Sequence, residues 1–225
     1  TNVNVQPGLV PPTRATVVGG ASSVIFNDTF NNLTGGNLVV SYTVEPVSTS
    51  GCAGASAIVQ LTVRPEPVLQ AGLFDEICST TESVEVILGL SSGSSPADQY
   101  VVESITPNGL TSLAGNPTTG TFTSTSFLLD DRWENKTGAN VDVIYNIKPR
   151  NSGTTCIGDP AVPVTIRVKP EPIVTPLPTD IICSGDSPTV TLASTPAVGS
   201  NFAWSVGRYK VSEWWRSAQA IGKTN

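Results

Sequence analysis

The same series of short motifs occurs twice in this chain, about one hundred residues apart. The first copy contains Thr34-Gly35-x-Asn37, Tyr42, Pro46, Gly51-Cys52-x-Gly54, Arg64-Pro65-Glu66-Pro67 and Ile77-Cys78-Ser79. The second contains Thr137-Gly138-x-Asn140, Tyr145, Pro149, Cys156-x-Gly158, Lys169-Pro170-Glu171-Pro172 and Ile182-Cys183-Ser184-Gly185. The tyrosines are 103 positions apart, and the Pro-Glu-Pro and Ile-Cys-Ser motifs are 105 apart. A period of this length is that of one small β-sandwich domain and is too long for a solenoid repeat.

Both copies contain segments in which every second residue is apolar. The alternating residues are Leu38, Val40, Tyr42 and Val44, then Val59, Leu61 and Val63, then Val141, Val143, Tyr145 and Ile147, then Val164, Ile166 and Val168. Alternation with polar residues between is typical of an antiparallel strand with one buried face. No helical periodicity reaches ten residues before 211–221. The sequence predicts an all-β fold of tandem immunoglobulin-like β-sandwich domains in an extended row.

The composition excludes several functional classes. Only 13% of the residues are charged and the net charge is −6, which argues against a nucleic-acid partner because such a surface needs clustered Lys and Arg. The chain has no His, so the usual general base for a Ser or Cys nucleophile is missing. We therefore expect no enzymatic activity and no cofactor.

The Pro-Glu-Pro motifs follow the last alternating strand of each copy. Proline removes a ladder donor, so x-Pro-x-Pro ends a strand in a stiff, extended connection. This predicts three domains: the C-terminal part of a domain at 1–67, a complete domain at 68–172 and the N-terminal part of another at 173–225. The chain is expected to be a segment of a longer tandem array.

The four cysteines occupy equivalent places in the repeated motifs, without the C-x-x-C or His neighbours of a metal site. Disulfides and an oxidising compartment are expected. A Cys52–Cys78 bridge would have to fold the stiff joint back on itself. The prediction is therefore Cys78–Cys156, since the first and last strands of a sandwich can lie side by side; this bridge closes a 78-residue loop and contributes about 4 kcal/mol. Cys52 and Cys183 would then have partners outside the chain.

Two clusters could serve as binding sites. Asp130, Asp131 and Glu134 could ligate Ca²⁺, but a solvated loop is the favoured interpretation, and no metal site is predicted. Trp133 could stack on sugars, but Phe30 lies 103 positions earlier, and a recurring aromatic residue favours packing. Trp204 alternates within a predicted strand and is expected in a core.

Three triplets match the N-glycosylation pattern: Asn27-Asp28-Thr29, Asn32-Leu33-Thr34 and Asn135-Lys136-Thr137.

The order of motifs resembles the PKD-like repeats of giant Bacteroidota surface proteins, such as the gliding adhesins of the SprB type. Ile182-Cys183-Ser184-Gly185 fits the start of such a repeat, and Phe202-Ala203-Trp204-Ser205-Val206 fits its core strand. The central copy lacks that Trp, and 207–225 is unlike the rest. The resemblance implies secretion by the type IX system, attachment to the outer surface, and O-glycosylation of Asp-Ser/Thr sites, for which Thr29 is a candidate.

The expected function is a structural repeat segment of a secreted cell-surface adhesin for gliding and attachment. Its expected partners are neighbouring repeats, the outer-membrane anchoring and secretion machinery, and surface polysaccharide. The alternative is a carbohydrate-binding accessory module of a secreted hydrolase, which needs an exposed aromatic platform.

Overall fold

The computed structural model describes residues 2–10, 25, 28–175, 179–195, 200–203 and 205. This part of the chain contains fourteen strands and no helix, and so none that could span a membrane. The strands are β1 (Asn2–Val5), β2 (Leu9–Val10), β3 (Asn31–Asn32), β4 (Leu38–Val44), β5 (Ala57–Val63), β6 (Phe74–Cys78), β7 (Gln99–Thr106), β8 (Thr111–Ala114), β9 (Gly120–Phe122), β10 (Arg132–Glu134), β11 (Val141–Arg150), β12 (Val162–Lys169), β13 (Ile173–Val174) and β14 (Ser194–Thr195). The predicted all-β fold is confirmed.

The central repeat is built on a five-stranded sheet with the order β6-β12-β11-β7-β9. Its neighbours are antiparallel except β6 and β12, which are parallel. The other layer contains the β8–β10 ladder and the segment 82–90, in which Val84, Val86 and Leu88 are buried at alternate positions. One apolar core joins residues of both layers.

The alternating residues form this core, as predicted. Val143, Tyr145 and Ile147 on β11 are buried, as are Val164 and Ile166 on β12. Period-two side chains share one face of a strand, so the pattern that predicted the strands also predicted which face is covered.

The first copy has the same arrangement as the back of the central repeat. Its sheet has the order β1-β4-β5, and β2 pairs with β3 beside it. Tyr42 lies opposite Val59 as Tyr145 lies opposite Val164. Its small core contains three buried residues, Leu9, Val40 and Tyr42. The repeat in the sequence is therefore a structural repeat.

Two compact units divide the chain, Thr1–Glu171 and Pro172–Asn225. The first contains the first copy and the central repeat, and the second contains the β13–β14 ladder. The domain limits at residues 67 and 172 stay predictions. Trp204 and 207–225, including the helical pattern at 211–221, lie outside the described residues.

The predicted Cys78–Cys156 bridge is absent: all four cysteines are free thiols. The reason is the direction of β6. It lies beside β12, as expected, but runs parallel to it, so that Cys78 lies opposite Lys169 at the end of β12. Cys156 precedes the start of the same strand, and seven residue steps cover about 23 Å. Bridged Cα atoms must lie within about 7 Å.

Candidate functional site at the joint between repeats

One buried asparagine precedes each joint, and the central copy shows its contacts most fully. Asn135 Nδ2 donates to Ala139 O at 2.8 Å and to Val168 O at 2.7 Å. Asn135 Oδ1 accepts from Thr137 N at 3.0 Å and from Thr137 Oγ1 at 2.7 Å. The amide thus connects its own turn to the last strand of the repeat.

The first copy repeats these contacts. Asn32 Nδ2 donates to Gly36 O at 2.8 Å and to Val63 O at 2.9 Å. Asn32 Oδ1 accepts from Thr34 N at 3.1 Å and from Thr34 Oγ1 at 2.7 Å. We call this arrangement the asparagine clasp.

The clasp also holds the glutamate of the Pro-Glu-Pro motif. Glu66 N donates to Asn32 O at 3.0 Å, and Glu171 N donates to Asn135 O at 2.9 Å. Proline on either side cannot donate, so this amide is the one donor that the motif itself offers. The backbone path out of each repeat is therefore fixed by the same bond in both copies.

The clasp gives two of the three N-glycosylation triplets a structural role. Asn32 and Asn135 are buried, and their amide nitrogens already make two hydrogen bonds each. A glycan cannot occupy these nitrogens in the folded protein. Asparagine followed two residues later by threonine serves here as a turn that bonds its own backbone.

A second pair of contacts recurs behind each clasp. Tyr42 Oη donates to Asp28 Oδ2 at 2.8 Å, and Tyr145 Oη donates to Asp131 Oδ2 at 2.6 Å. Burial raises the pKa of Asp131 to about 6, with the charge of Asp130 adding to the rise and the tyrosine bond opposing it. The hydroxyl of Tyr145 in turn has its pKa raised, first by burial and then by Asp131.

The acidic cluster is divided between separate contacts. Asp131 is buried against Tyr145, while Glu134 pairs with Lys136 at 2.6 Å and Asp130 is exposed. Among the described residues no group of His, Cys, Asp and Glu is arranged to hold a metal ion.

Trp133 is a core residue. Its ring meets that of Tyr145 edge to face, with centroids 6.5 Å apart and planes at 73°. Only 3% of its surface is exposed, which confirms the packing interpretation and leaves no platform for a sugar at this position. Phe30 packs against the core of the first copy.

The end of the first copy lies directly against the central repeat. Val68 N donates to Ser94 Oγ at 2.8 Å, and Ser95 Oγ donates to Pro65 O at 3.4 Å. A Cβ on Gly158 would lie 2.2 Å from Pro67 O, and one on Gly35 would lie 2.3 Å from Gly93 O. Only glycine permits such an approach, and at Gly35 the φ of +61° favours it as well.

The loop that carries Cys156 takes part in this contact. A cavity of about 390 Å³ lies between Arg64 and Asn37 of the first copy and Asn151 and Thr154 of that loop. Beside it, burial raises the pKa of Glu66, and the nearby carboxylate of Asp159 raises it further. Equivalent residues of the two copies are 103 positions apart before this loop and 105 apart after it. The loop of the central repeat is therefore two residues longer than that of the first copy, and the extra residues lie at the joint.

Thr29, the candidate for O-glycosylation, is exposed. Its modification stays a prediction.

The sequence predicted the joint from Pro-Glu-Pro but missed the asparagine clasp and the Tyr–Asp pair. Both could have been found, because Asn32 and Asn135, like Asp28 and Asp131, are 103 positions apart, as the tyrosines are.

Comparison with protein families gives one match, to the PKD-like domain, at residues 12–67 and 112–172, together just over half of the chain. Both matched segments end at a Pro-Glu-Pro motif. The comparison with curated proteins gave no match.

Proposed function

Because the chain belongs to the PKD-like domain family, we propose that it is a structural repeat segment of a large secreted cell-surface adhesin. PKD-like domains typically occur in extracellular proteins as structural or adhesion modules and are generally non-catalytic. In this role the segment is a spacer: it holds a binding region away from the cell and transmits force.

The observations that carry the proposal are the duplicated asparagine clasp and the close packing of the first joint against the central repeat. A flexible linker would leave neighbouring repeats free to reorient. Here the clasp fixes the exit from each copy, and Gly35 and Gly158 bring the backbones of two repeats into contact. A spacer under tension needs this kind of connection, because its length depends on every joint.

The more specific assignment rests on the motif order. Ile-Cys-Ser-Gly, the Pro-Glu-Pro joint and Thr29 in an Asp-Thr site resemble the repeats of Bacteroidota gliding adhesins. On this proposal the protein is exported by the type IX system and attached to the outer membrane. Its partners are neighbouring repeats, the anchoring machinery and surface polysaccharide.

Labelling of intact cells tests the location. An antibody against residues 68–172 should label unpermeabilised cells, and external protease should remove the signal. Label that appears only after permeabilisation contradicts a surface role.

Deletion of one repeat tests the spacer role. Removing residues 68–172 from the full-length protein deletes one 105-residue period and joins Pro67 to Ile173, so one Pro-Glu-Pro motif still precedes the next repeat. We expect the surface structure to shorten by one repeat while attachment persists. Abolished attachment with unchanged export and unchanged abundance would assign binding to the repeat itself and overturn the spacer role.

A further inference from the structure

The two cysteines of the central repeat lie at opposite ends of it. Cys78, the cysteine of the Ile-Cys-Ser motif, ends β6 opposite Lys169, where β12 leads to the following joint. Cys156 lies in the loop between β11 and β12, at the end of the repeat that meets the first copy. We call these positions the motif cysteine and the loop cysteine. Each lies near a different joint.

The loop that carries the loop cysteine folds in the same way in both copies. Two backbone hydrogen bonds close it in each copy: Ser48 N to Cys52 O at 2.9 Å and Gly54 N to Pro46 O at 2.8 Å, then Asn151 N to Cys156 O at 2.9 Å and Gly158 N to Pro149 O at 2.8 Å. The position of this cysteine is therefore a property of the repeat itself.

At the joint with the first copy, the loop cysteine lies close to the end of β5. Arg64 directly follows β5 and lines the same cavity as Asn151 and Thr154 of the loop. Cys156 is held against Thr154, since its N–H donates to Thr154 Oγ1 at 3.4 Å and its Sγ donates to Thr154 O at 3.8 Å. The loop thiol thus belongs to the wall of the joint.

The first copy also shows where a motif cysteine would lie at this joint. Arg64 is the counterpart of Lys169, 105 positions earlier. In the central repeat Cys78 lies directly beside Lys169, and paired strands are about 4.8 Å apart. Both side chains lie on the outer face of the sheet, because their neighbours Ile77 and Val168 are buried. The motif cysteine of the repeat before this joint would therefore lie one strand spacing from Arg64, beside the cavity that the loop lines.

We propose that the motif cysteine of each repeat forms a disulfide with the loop cysteine of the following repeat, across the joint. The inference rests on the proposed function, because it needs a longer row of repeats. Cys78 then pairs with the loop cysteine of the following repeat, and Cys156 pairs with the motif cysteine of the preceding one. The bond runs beside the Pro-Glu-Pro connection, so two repeats stay joined even when the packed joint opens under force.

The bond forms by thiol–disulfide exchange with a disulfide oxidant such as oxidised glutathione. The thiolate of one cysteine attacks the oxidant and releases its first thiol, and the thiolate of the second cysteine then displaces the other. The two cysteines lose two protons and two electrons in total, and the oxidant takes them up as two thiols. An oxidising compartment outside the cytoplasm preserves the product.

A chain in which the central repeat is duplicated tests the pairing. Residues 1–172 followed by residues 68–225 place a Pro-Glu-Pro motif before Val68, as in the original chain. The new joint then has the central repeat on both sides and can supply a motif cysteine and a loop cysteine together.

Two placements of the same two cysteines make a matched pair of variants, with serine at every other cysteine position. The pairing variant has Cys78 in the upstream copy of the duplicated repeat and Cys156 in the downstream copy, which places both at the new joint. The reversed variant has Cys156 in the upstream copy and Cys78 in the downstream copy, which places them at the two far ends. Both variants contain the same cysteine peptides.

The measurement is thiol counting and peptide mapping by mass spectrometry after equilibration with reduced and oxidised glutathione. The pairing variant should lose both free thiols and give the Cys78–Cys156 linked peptide within one chain, and the reversed variant should retain both thiols. Retained thiols in the pairing variant, or equal linkage in the two variants, overturns the proposal. This experiment needs neither export nor attachment, so its failure counts against the pairing alone, whereas labelling of intact cells tests the proposed function alone.

The full-length protein gives a second measurement that does not depend on folding of the duplicated chain. Free thiols are alkylated on the intact protein from cells before digestion. Cys78 should be linked to a peptide of the following repeat, and Cys156 to a peptide of the preceding repeat. Alkylated Cys78 and Cys156, or a link between these two within one repeat, would contradict the proposal.

Discussion

At the residue scale, one side chain connects a turn, a strand end and a joint. Asn135 donates to two carbonyls and accepts twice, and its own carbonyl accepts from Glu171 N. No residue other than asparagine offers two donors and an acceptor on so short a side chain. Its use in both copies shows that the joint depends on the fold of the repeat before it.

Removing this amide should be costly. In Asn135→Ala the carbonyls of Ala139 and Val168 lose their donor in a buried site, so we expect a loss of about 2–4 kcal/mol in the free energy of unfolding. Denaturant unfolding measures it. The control is Asn146→Ala, whose amide bonds the side chain of Ser104 near the surface, with an expected change within about 0.5 kcal/mol. Equal effects of the two variants would contradict the structural role of the clasp.

Asp131 should make stability depend on pH. Its pKa is about 6 in the folded protein against an ordinary value of 3.8, so folding takes up a proton between these values. The contribution of Asp131 to the free energy of unfolding is fully present below pH 3.8, and it is lost as the pH rises through about 6. Asp131→Asn removes this dependence of the free energy of unfolding on pH. From pH 4 to pH 7 the free energy of unfolding of the variant should therefore rise relative to that of the wild type by at most about 3 kcal/mol.

The control for this prediction is Asp130→Asn, which removes the same charge from the exposed neighbour. It should retain most of the slope, because burial of Asp131 is the larger cause of its raised pKa. Parallel pH profiles for the wild type and Asp131→Asn would show that Asp131 does not titrate in this window.

These residues also show where sequence reasoning stopped. Asn32 and Asn135 match a glycosylation pattern, and Asp131 stands in an acidic run, so each had a familiar local interpretation. Their contacts are long-range: Asn135 reaches Val168, and Asp131 reaches Tyr145. Local patterns do not encode such partners, whereas the constant offset of 103 positions does indicate a shared role.

At the element scale, periodicity predicted the strands but not all their directions. Alternation located β4, β5, β11 and β12 and the buried faces of β4, β11 and β12. It was wrong for the face of β5, where Val59 and Leu61 are exposed. The position of β6 at the edge of β12 was also expected, but its parallel direction was not, since period two is the same in both orientations. Because the direction of β6 was assumed to be antiparallel, Cys78 was expected at the wrong end of β12, and the Cys78–Cys156 bridge was wrongly predicted.

The glycine in the Cys156 loop should control the joint. In Gly158→Ala the new methyl would lie 2.2 Å from Pro67 O, so the loop or the joint must move. We expect a loss of about 1–3 kcal/mol, typical of overpacking, together with faster amide exchange at Val68. Gly153→Ala is the matched control in the same loop, with its nearest atom at an ordinary 3.5 Å. Unchanged exchange at Val68 in Gly158→Ala would mean that this approach does not hold the repeats together.

At the scale of the whole molecule, the repeat explains where the joints lie. Each repeat needs its front part to cover the sheet formed by its back part, as β6 and Val84 do for Val164. The motif period predicted this division of the chain.

Free thiols should leave the stability of the molecule independent of reductant. Cys78 and Cys156 lie at opposite ends of β12, so no bridge between them can contribute to folding. The melting temperature should be the same with and without dithiothreitol.

Alkylation of the native protein should modify the exposed Cys52 and Cys183 first and Cys78 more slowly, because burial and the neighbouring Glu82 raise the pKa of the Cys78 thiol and lower its thiolate fraction. The control is the unfolded chain, in which all four thiols should react alike. A lower melting temperature in reductant, or an unfolded chain that retains unreactive cysteines, would reveal a bridge and contradict the arrangement of β6 and β12.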